Sequence, residues 1–220
     1  MVKIDKTPLP SGMTIKQESD YRRGFVFNQN HQDCRGKCYI CEDSHVTHWH
    51  TDHRIPKTVN PDLEFAWENL FLCCPHCNNV KLDDFAGTID PSKVDPENCI
   101  ILSLAINDLK EVVVVTKITG GVDVDETIAL LNAVYSARML PHRRVTDNQK
   151  LGCTELCNAI GKAMRDFHIK LYLYGREPAS EGAEESLATE LTRASAFAAF
   201  KRHIVRSNAK YARLQKYLEK

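Results

Sequence analysis

Residues 38–81 read CYICEDSHVTHWHTDHRIPKTVNPDLEFAWENLFLCCPHCNNVK, and this stretch decides the fold. Two Cys-x-x-Cys pairs, Cys38/Cys41 and Cys74/Cys77, bracket it, with 32 residues between the inner cysteines. Thiolates at this spacing chelate one tetrahedral Zn²⁺, and two such pairs complete a Cys₄ site. We therefore predict one structural zinc on these four cysteines, with a histidine-rich segment held between them.

Two further cysteines leave alternatives open at this site. Cys73 could replace Cys74 as a ligand, although the spacing to Cys77 favours Cys74. Cys34 stands four residues before Cys38 and is an optional ligand at best, with a packed thiol favoured. The predicted ligand set therefore stays at the two Cys-x-x-Cys pairs.

The number and spacing of the cysteines indicate the redox environment of the protein. The chain has nine cysteines, an odd number, with metal-type spacing and no apolar leader segment. Cys153 and Cys157 are four residues apart on a predicted helix, where a packing face is favoured over a second metal site. Neither an apolar run of 18 residues nor a secretion signal is present in the sequence, so we expect a reducing, cytoplasmic location and no membrane span.

Periodicity predicts the order of elements. Strands are expected at 48–55 and 70–72, followed by a helix over 78–85, and a hairpin over 99–105 and 112–118. Helices are expected at 126–139, 146–174 and 184–217, the first of them capped by Asp125. We therefore predict an α+β protein of three parts: an N-terminal lead over 1–33, a domain with a hairpin over 34–122, and a mainly helical region over 123–220.

Between and after the cysteine pairs stand Asp52-His53, Ile55-Pro56, Asn69-Leu70, Asn78 and Lys81. In order and spacing these residues resemble an HNH (ββα-metal) endonuclease of the zinc-clipped, McrA-like type. The resemblance covers roughly residues 34–85, and Asn78 stands where that family usually has histidine. It implies a zinc-clipped ββα-metal nuclease domain over 34–122.

Phosphodiester hydrolysis requires a base that activates water and a cation that stabilises the developing charge. His53 is the predicted base, because histidine ordinarily titrates near neutral pH; a zinc ligand or a core histidine is the alternative. Asp52 and Asn78 are the predicted oxygen ligands of a catalytic Mg²⁺ or Mn²⁺. The alternatives are a salt-bridge residue for Asp52 and a helix cap for Asn78.

Supporting roles are predicted for four neighbours of these residues. By the family resemblance, Asn69 braces the loop that carries His53. Arg54 and Lys81 are candidate contacts for a phosphate, and His50 is a candidate contact for a phosphate or the metal. An ordinary solvated side chain is the alternative for Lys81.

Charge is spread unevenly along the chain. The formal net charge is zero, but residues 201–220 carry seven Lys and Arg against Glu219. We predict that this basic tail contacts nucleic-acid phosphates through Lys201, Arg202 and Arg206. A solvated helix face, or a face that packs on the protein core or on a partner, is the alternative.

Together these features predict a metal-dependent endonuclease that cleaves nucleic acid, with DNA favoured over RNA. The segments KIDKTPLP (3–10) and LLNAVYSAR (130–138) more loosely resemble the HNH subunit of Septu-type or retron-associated anti-phage systems. That resemblance implies an antiviral role and an ATPase partner of the SMC/ABC-like kind. A zinc-organised nucleic-acid-binding module, or a structural subunit with little catalysis, stays as the alternative function.

Overall fold

The computed structural model describes residues 1–21, 24–25, 36–107, 110–136, 144–176 and 181–219. Within these ranges the protein is mixed α+β, with two small antiparallel sheets of two strands each and a set of helices. The α+β prediction is confirmed at this level. None of the helices in the described part of the chain is both long and apolar enough to cross a membrane.

The first sheet and the helix after it contain the predicted site. Strand β1 (His50–His53) pairs antiparallel with β2 (Leu70–Cys73). Helix α1 (Pro75–Lys81) follows, beginning three residues before the predicted start and ending four residues before the predicted end. It begins early because the Cys74 sulfur caps it and proline is favourable in a first turn.

Strand β2 is buried along its whole length because both of its faces are covered. Phe71 and Cys73 belong to the main core, whereas Leu70 and Leu72 belong to a smaller cluster built around Trp67. Three side chains from the N-terminal part complete that smaller cluster: Ile15, Tyr21 and Phe25. The N-terminal part therefore covers one face of the site sheet, which its polar composition did not predict.

The hairpin and the next two helices agree closely with prediction. Strands β3 (Ile100–Asn107) and β4 (Lys110–Lys117) pair antiparallel, with Ser103 opposite Val114. Helix α2 (Asp125–Ser136) packs on β4 and on the long helix α3 (Asp147–Arg176). Asp125, the predicted cap, is instead the first residue of α2, and the Asp123 carboxylate accepts its backbone N–H at 3.0 Å.

The predicted single helix over 184–217 is wrong. The segment forms α4 (Glu181–Leu191), α5 (Ala198–Arg206) and a three-ten segment, Ala209–Tyr217. The first of these helices ends at Leu191, and a turn over 192–197 follows it. Phe197 closes this turn with a left-handed φ of 53°, and its N–H donates to the Glu42 carbonyl at 3.2 Å. This break lets α5 pack beside the first cysteine pair instead of continuing in line with α4.

One main core joins the two halves of the chain. Its buried members run from Met1 and Val2, through the cysteine pairs, to Leu214 in the three-ten segment. Tyr135 of α2 and Phe200 of α5 meet edge to face inside it, with ring centroids 6.1 Å apart. The helical C-terminal part thus packs directly against the part that contains the two cysteine pairs.

Candidate metal centre and active site

The four predicted zinc ligands meet at one point. One sulfur atom from each of Cys38, Cys41, Cys74 and Cys77 lies within 4.8 Å of the other three, and all four side chains are buried. Four sulfur donors in a closed set are the donor chemistry of a structural zinc site. The cluster can therefore hold a zinc ion.

A fifth thiol lies beside this cluster without joining it. The sulfur of Cys73 is 3.9 Å from that of Cys38, yet Cys73 is not a member of the four-sulfur group. The sulfur of Cys74 is a member, and it accepts the Cys77 N–H at 3.4 Å. The choice of Cys74 over Cys73 agrees with this geometry, and Cys34 lies outside the described residues.

The electrostatics of these thiols follow from burial and crowding. Burial raises the pKa of the Cys73 thiol well above its ordinary value. Burial acts in the same direction on Cys38, but hydrogen bonds with the neighbouring thiols, beginning with Cys41, bring its pKa well below the ordinary value. A thiolate is the form that binds a metal, so the lowered pKa of Cys38 favours the ligand form of that side chain.

His53 ends strand β1 with one ring nitrogen already engaged. Its Nε2 lies 2.9 Å from the carbonyl oxygen of Glu64 and 3.4 Å from the hydroxyl of Tyr21. Because a carbonyl oxygen only accepts hydrogen bonds, Nε2 carries the proton. The lone pair of the neutral ring is then on Nδ1, which is the arrangement that a general base requires.

Asn69 ties the two ends of the loop between the strands. Its Oδ1 accepts the Ile55 N–H at 2.8 Å, and its Nδ2 donates to the carbonyls of Ile55 at 2.9 Å and Leu63 at 3.2 Å. Glu64, whose carbonyl holds His53, is the next residue after Leu63. The Asn69 side chain therefore connects Ile55 with Leu63, and its bracing of the catalytic loop stays a prediction.

Asp52 is buried and already bonded on both oxygens. Its Oδ2 accepts a hydrogen bond from the Tyr39 hydroxyl at 2.5 Å, and the Lys81 ammonium lies 3.3 Å from Oδ1 and 3.2 Å from Oδ2. Lys81 also donates to the His53 carbonyl at 2.8 Å. Burial raises the pKa of Asp52 above its ordinary value, against the opposing effect of Lys81 and Tyr39.

The contact between Asp52 and Lys81 bears on the predicted roles of both residues. Asp52 has the geometry of a salt-bridge residue, which was the alternative to a metal ligand. Lys81 is fully buried, so its ammonium does not reach a phosphate on the surface in this arrangement. Lys81 therefore acts here as an internal counter-ion rather than as a solvated lysine.

Asn78 and His50 keep more exposure than Asp52. Asn78 is half-buried in the middle of α1, and the cap of that helix is Cys74, so the helix-cap alternative for Asn78 is wrong. His50 is exposed at the start of β1. Within the described residues, no group of three or more metal-binding side chains includes Asp52 or His50.

Arg54 is directed towards the protein itself. Its Nη1 donates to the Thr88 carbonyl at 2.7 Å, and its Nε lies 3.9 Å from the carboxylate of Asp90. Together these contacts tie the end of β1 to the segment after α1. Nη1 is therefore engaged within the protein, and the phosphate contact of Arg54 stays a prediction.

Two of the three predicted phosphate contacts in the tail are interior residues. Lys201 pairs with Glu190, and Arg202 donates from Nε to both oxygens of Glu97, at 3.0 and 2.9 Å. Both cations are buried, so the predicted phosphate contacts at these two positions are wrong. Arg206 is exposed, although its Nη2 also contacts Glu97 at 3.2 Å.

Two tyrosines near the site were not predicted. Tyr39 lies inside the first Cys-x-x-Cys pair, and its hydroxyl donates to the Asp52 carboxylate. Tyr21 is 32 residues away from His53 in the sequence, and no local sequence pattern predicts the contact between them. Burial, with smaller contributions from Glu64 and Glu18, raises the pKa of Tyr21 to about 12, so it stays a neutral hydrogen-bonding hydroxyl.

The helical cysteines pack as predicted. Cys153 donates to the Val134 carbonyl at 3.1 Å, and Cys157 donates to the Tyr135 carbonyl at 3.2 Å. His76 lies against the same helix end, with its Nε2 2.9 Å from the Val134 carbonyl. The described residues hold no second cluster of metal-binding side chains at this position.

Comparison with known proteins adds no family to these observations. No protein-family model, no curated protein and no solved structure matches this chain.

Proposed function

We propose that this chain is an HNH-type endonuclease that hydrolyses phosphodiester bonds in nucleic acid, DNA in preference to RNA. The observation that carries the proposal is the hydrogen bond from His53 Nε2 to the Glu64 carbonyl, which leaves Nδ1 as the basic nitrogen. Asn69 braces the loop that supplies this carbonyl. The order strand, loop, strand and helix around the cysteine cluster is the order that the ββα resemblance implies.

In this mechanism His53 acts on water. Nδ1 takes a proton from a water molecule, and the resulting hydroxide attacks the phosphorus. The opposite P–O bond breaks with its electron pair on the leaving sugar oxygen, which then takes a proton from solvent water. A positioned base of this kind typically contributes about 10²–10⁴-fold in rate. The hydrogen bond at Nε2 keeps the ring in one tautomer and one orientation during the proton transfer.

A catalytic Mg²⁺ or Mn²⁺ is part of the proposal through the resemblance, with Asp52 and Asn78 as its ligands. Such an ion would polarise a phosphoryl oxygen. The described position of Asp52 does not fit a hard-cation site, because Tyr39 and Lys81 already occupy its oxygens. The ion and the Lys81 ammonium would therefore compete for the same carboxylate.

The same ion pair favours one alternative. If Lys81 remains on Asp52, the chain is a zinc-organised module that binds nucleic acid without cleaving it. For both the nuclease and the binding module, an antiviral role and an SMC/ABC-like ATPase partner are proposed only from the looser resemblance of segments 3–10 and 130–138.

Single-turnover cleavage separates these functions. The purified chain is incubated with plasmid, single-stranded DNA and tRNA, each with Mg²⁺, Mn²⁺ or EDTA. We expect cleavage that EDTA stops and that His53→Ala lowers by about 10²–10⁴-fold. The matched control is His45→Ala, which removes an exposed histidine outside the His53 contacts. Binding without cleavage in every arm would establish the binding module instead.

A further inference from the structure

The C-terminal half of α3 has an apolar outer face in addition to its core face. Phe167 and Leu171 point into the main core. Ile169, Tyr172 and Leu173 are on the other side, 57%, 62% and 54% exposed. Their spacing of three and four residues places them together on one side of a helix. They form one contiguous apolar patch, which we call the α3 patch.

Opposite charges flank the α3 patch at equal distances. Position 171 lies midway in sequence between Ile169 and Leu173, although the Leu171 side chain itself faces the core. Asp166 stands five residues before this position, and Arg176 stands five residues after it. Within the described part of the chain, neither Asp166 nor Arg176 forms a salt bridge. The Arg176 guanidinium lies instead 6.0 Å from the ring centroid of Tyr172.

We infer that the α3 patch binds the α3 patch of a second copy of this chain, with the two helices antiparallel. In such a pair each residue faces the residue equally far on the other side of position 171. Ile169 then meets Leu173 of the second copy, and Asp166 meets Arg176 of the second copy. Both contacts occur twice, which is what a two-fold, self-complementary interface requires.

The positions of Asp166 and Arg176 favour a second copy of this chain over a different protein as the partner of the α3 patch. This helix face has a negative residue at one end, a positive residue at the other and apolar residues between them. When two such faces meet antiparallel, each negative residue lies opposite a positive residue. The patch is small beside a standard interface of about 20–30 residues a side. The dimer is therefore weak and depends on protein concentration, and this inference is independent of the nuclease proposal.

Sedimentation equilibrium of the full chain over a range of concentrations tests the inference. We expect the mean mass to rise from monomer towards dimer with concentration. Leu173→Asp should weaken dimerisation at least about tenfold, about 1.4 kcal/mol. Leu151→Asp is the matched control, because Leu151 is 57% exposed on the same helix and lies about 27 Å along the axis from Ile169. It should leave the association unchanged.

Charge exchange tests the antiparallel register. Asp166→Arg and Arg176→Asp should each weaken the dimer, because each places like charges opposite one another. The double variant should restore it, and circular dichroism confirms the fold of every variant. A chain that stays monomeric at all concentrations, or a dimer that Leu173→Asp leaves intact, overturns the inference. If Leu173→Asp fails to fold, the exchange series decides alone.

Discussion

The Lys81 ammonium lies 3.2 Å from the Asp52 carboxylate, and both side chains are buried. Lys81 follows the second cysteine pair and Asp52 lies on β1, so the ion pair links the helix to the strand that carries His53. The same ammonium holds the His53 carbonyl at 2.8 Å. Whether Asp52 serves structure or catalysis depends on how firmly this pair stays closed.

Breaking this pair from one side should be costly. Lys81→Met leaves an unpaired carboxylate in the interior, and we expect a loss of about 3–5 kcal/mol in the free energy of unfolding. Asp52→Asn combined with Lys81→Met should recover much of that loss. Urea unfolding measures both, with zinc content determined for each variant. Lys150→Met is the control, because its pair with Asp147 is exposed and an exposed ion pair contributes little to stability.

The zinc ligand set can be tested one sulfur at a time. Cys41→Ala removes a member of the four-sulfur group, so zinc per chain should fall well below one and thermal unfolding should move to lower temperature. Cys73→Ala removes the neighbouring thiol, and the zinc content should stay at one. Elemental analysis and calorimetry measure these results. Equal zinc loss in both variants would mean that Cys73 is a ligand.

Tyr21 should position His53. Tyr21→Phe keeps the ring but removes the hydroxyl that donates to the Glu64 carbonyl at 3.1 Å and lies 3.4 Å from His53 Nε2. An ordinary hydrogen bond contributes about 0.5–1.5 kcal/mol. We expect the single-turnover cleavage rate to fall by about two- to tenfold, since 1.4 kcal/mol corresponds to a factor of ten. Nitrogen NMR of the His53 ring gives a readout that does not require cleavage: the population with the proton on Nε2 should decrease.

A matched variant distinguishes this effect from a general loss of stability. Tyr174→Phe removes another buried hydroxyl, one that lacks a hydrogen-bond partner among the described residues. It should change neither the cleavage rate nor the His53 spectrum. An unchanged His53 spectrum in Tyr21→Phe would exclude the positioning role.

Glu190 should contribute an acid-sensitive part of the stability. Burial acts to raise its pKa, but hydrogen bonds from Lys170 and Lys201 lower it from 4.5 to about 2. A carboxyl with a lowered folded pKa stabilises the fold above pH 4.5 and loses that contribution as the pH falls towards 2. Because Glu190 is partly solvated, we expect about 1–2 kcal/mol rather than the full value.

The measurement is the difference in unfolding free energy between the wild type and Glu190→Gln across this pH range. The difference should be largest near pH 6 and should shrink towards pH 2. Loss of zinc in acid affects both proteins, so it cancels in the difference. A difference that stays constant with pH would show that Glu190 is not the titrating group.

The basic tail should bind phosphates through its exposed cations only. Changing Lys210, Arg213 and Lys216 together to glutamine should reduce the salt dependence of nucleic-acid binding by up to about 0.9 per residue in the log–log slope. The same change at three exposed lysines elsewhere, Lys93, Lys110 and Lys150, is the control. Fluorescence anisotropy over a salt series measures the slope.

Arg202→Gln provides the opposite case within the same tail. It removes a buried partner of Glu97, so the expected effect is destabilisation by about 3–5 kcal/mol. An unchanged fold with weaker nucleic-acid binding would return Arg202 to the set of phosphate contacts.

The sequence by itself determined what depends on near neighbours. The cysteine cluster follows from two pairs with the right spacing, and the strand and helix order around His53 follows from local periodicity. The hairpin could also be predicted, because two β-branched runs and the turn between them are adjacent in the chain. Even so, the start of α1 was missed, since the capping residue was also a metal-site cysteine.

Only the tertiary structure decided which charges are internal. Lys81, Lys201 and Arg202 look like surface cations in the sequence, and each is buried against a carboxylate. Arg202 meets Glu97 across 105 positions of sequence, and Lys81 meets Asp52 across 29. A charge enters the interior only where packing places a counter-ion beside it, and no local pattern contains that distance information.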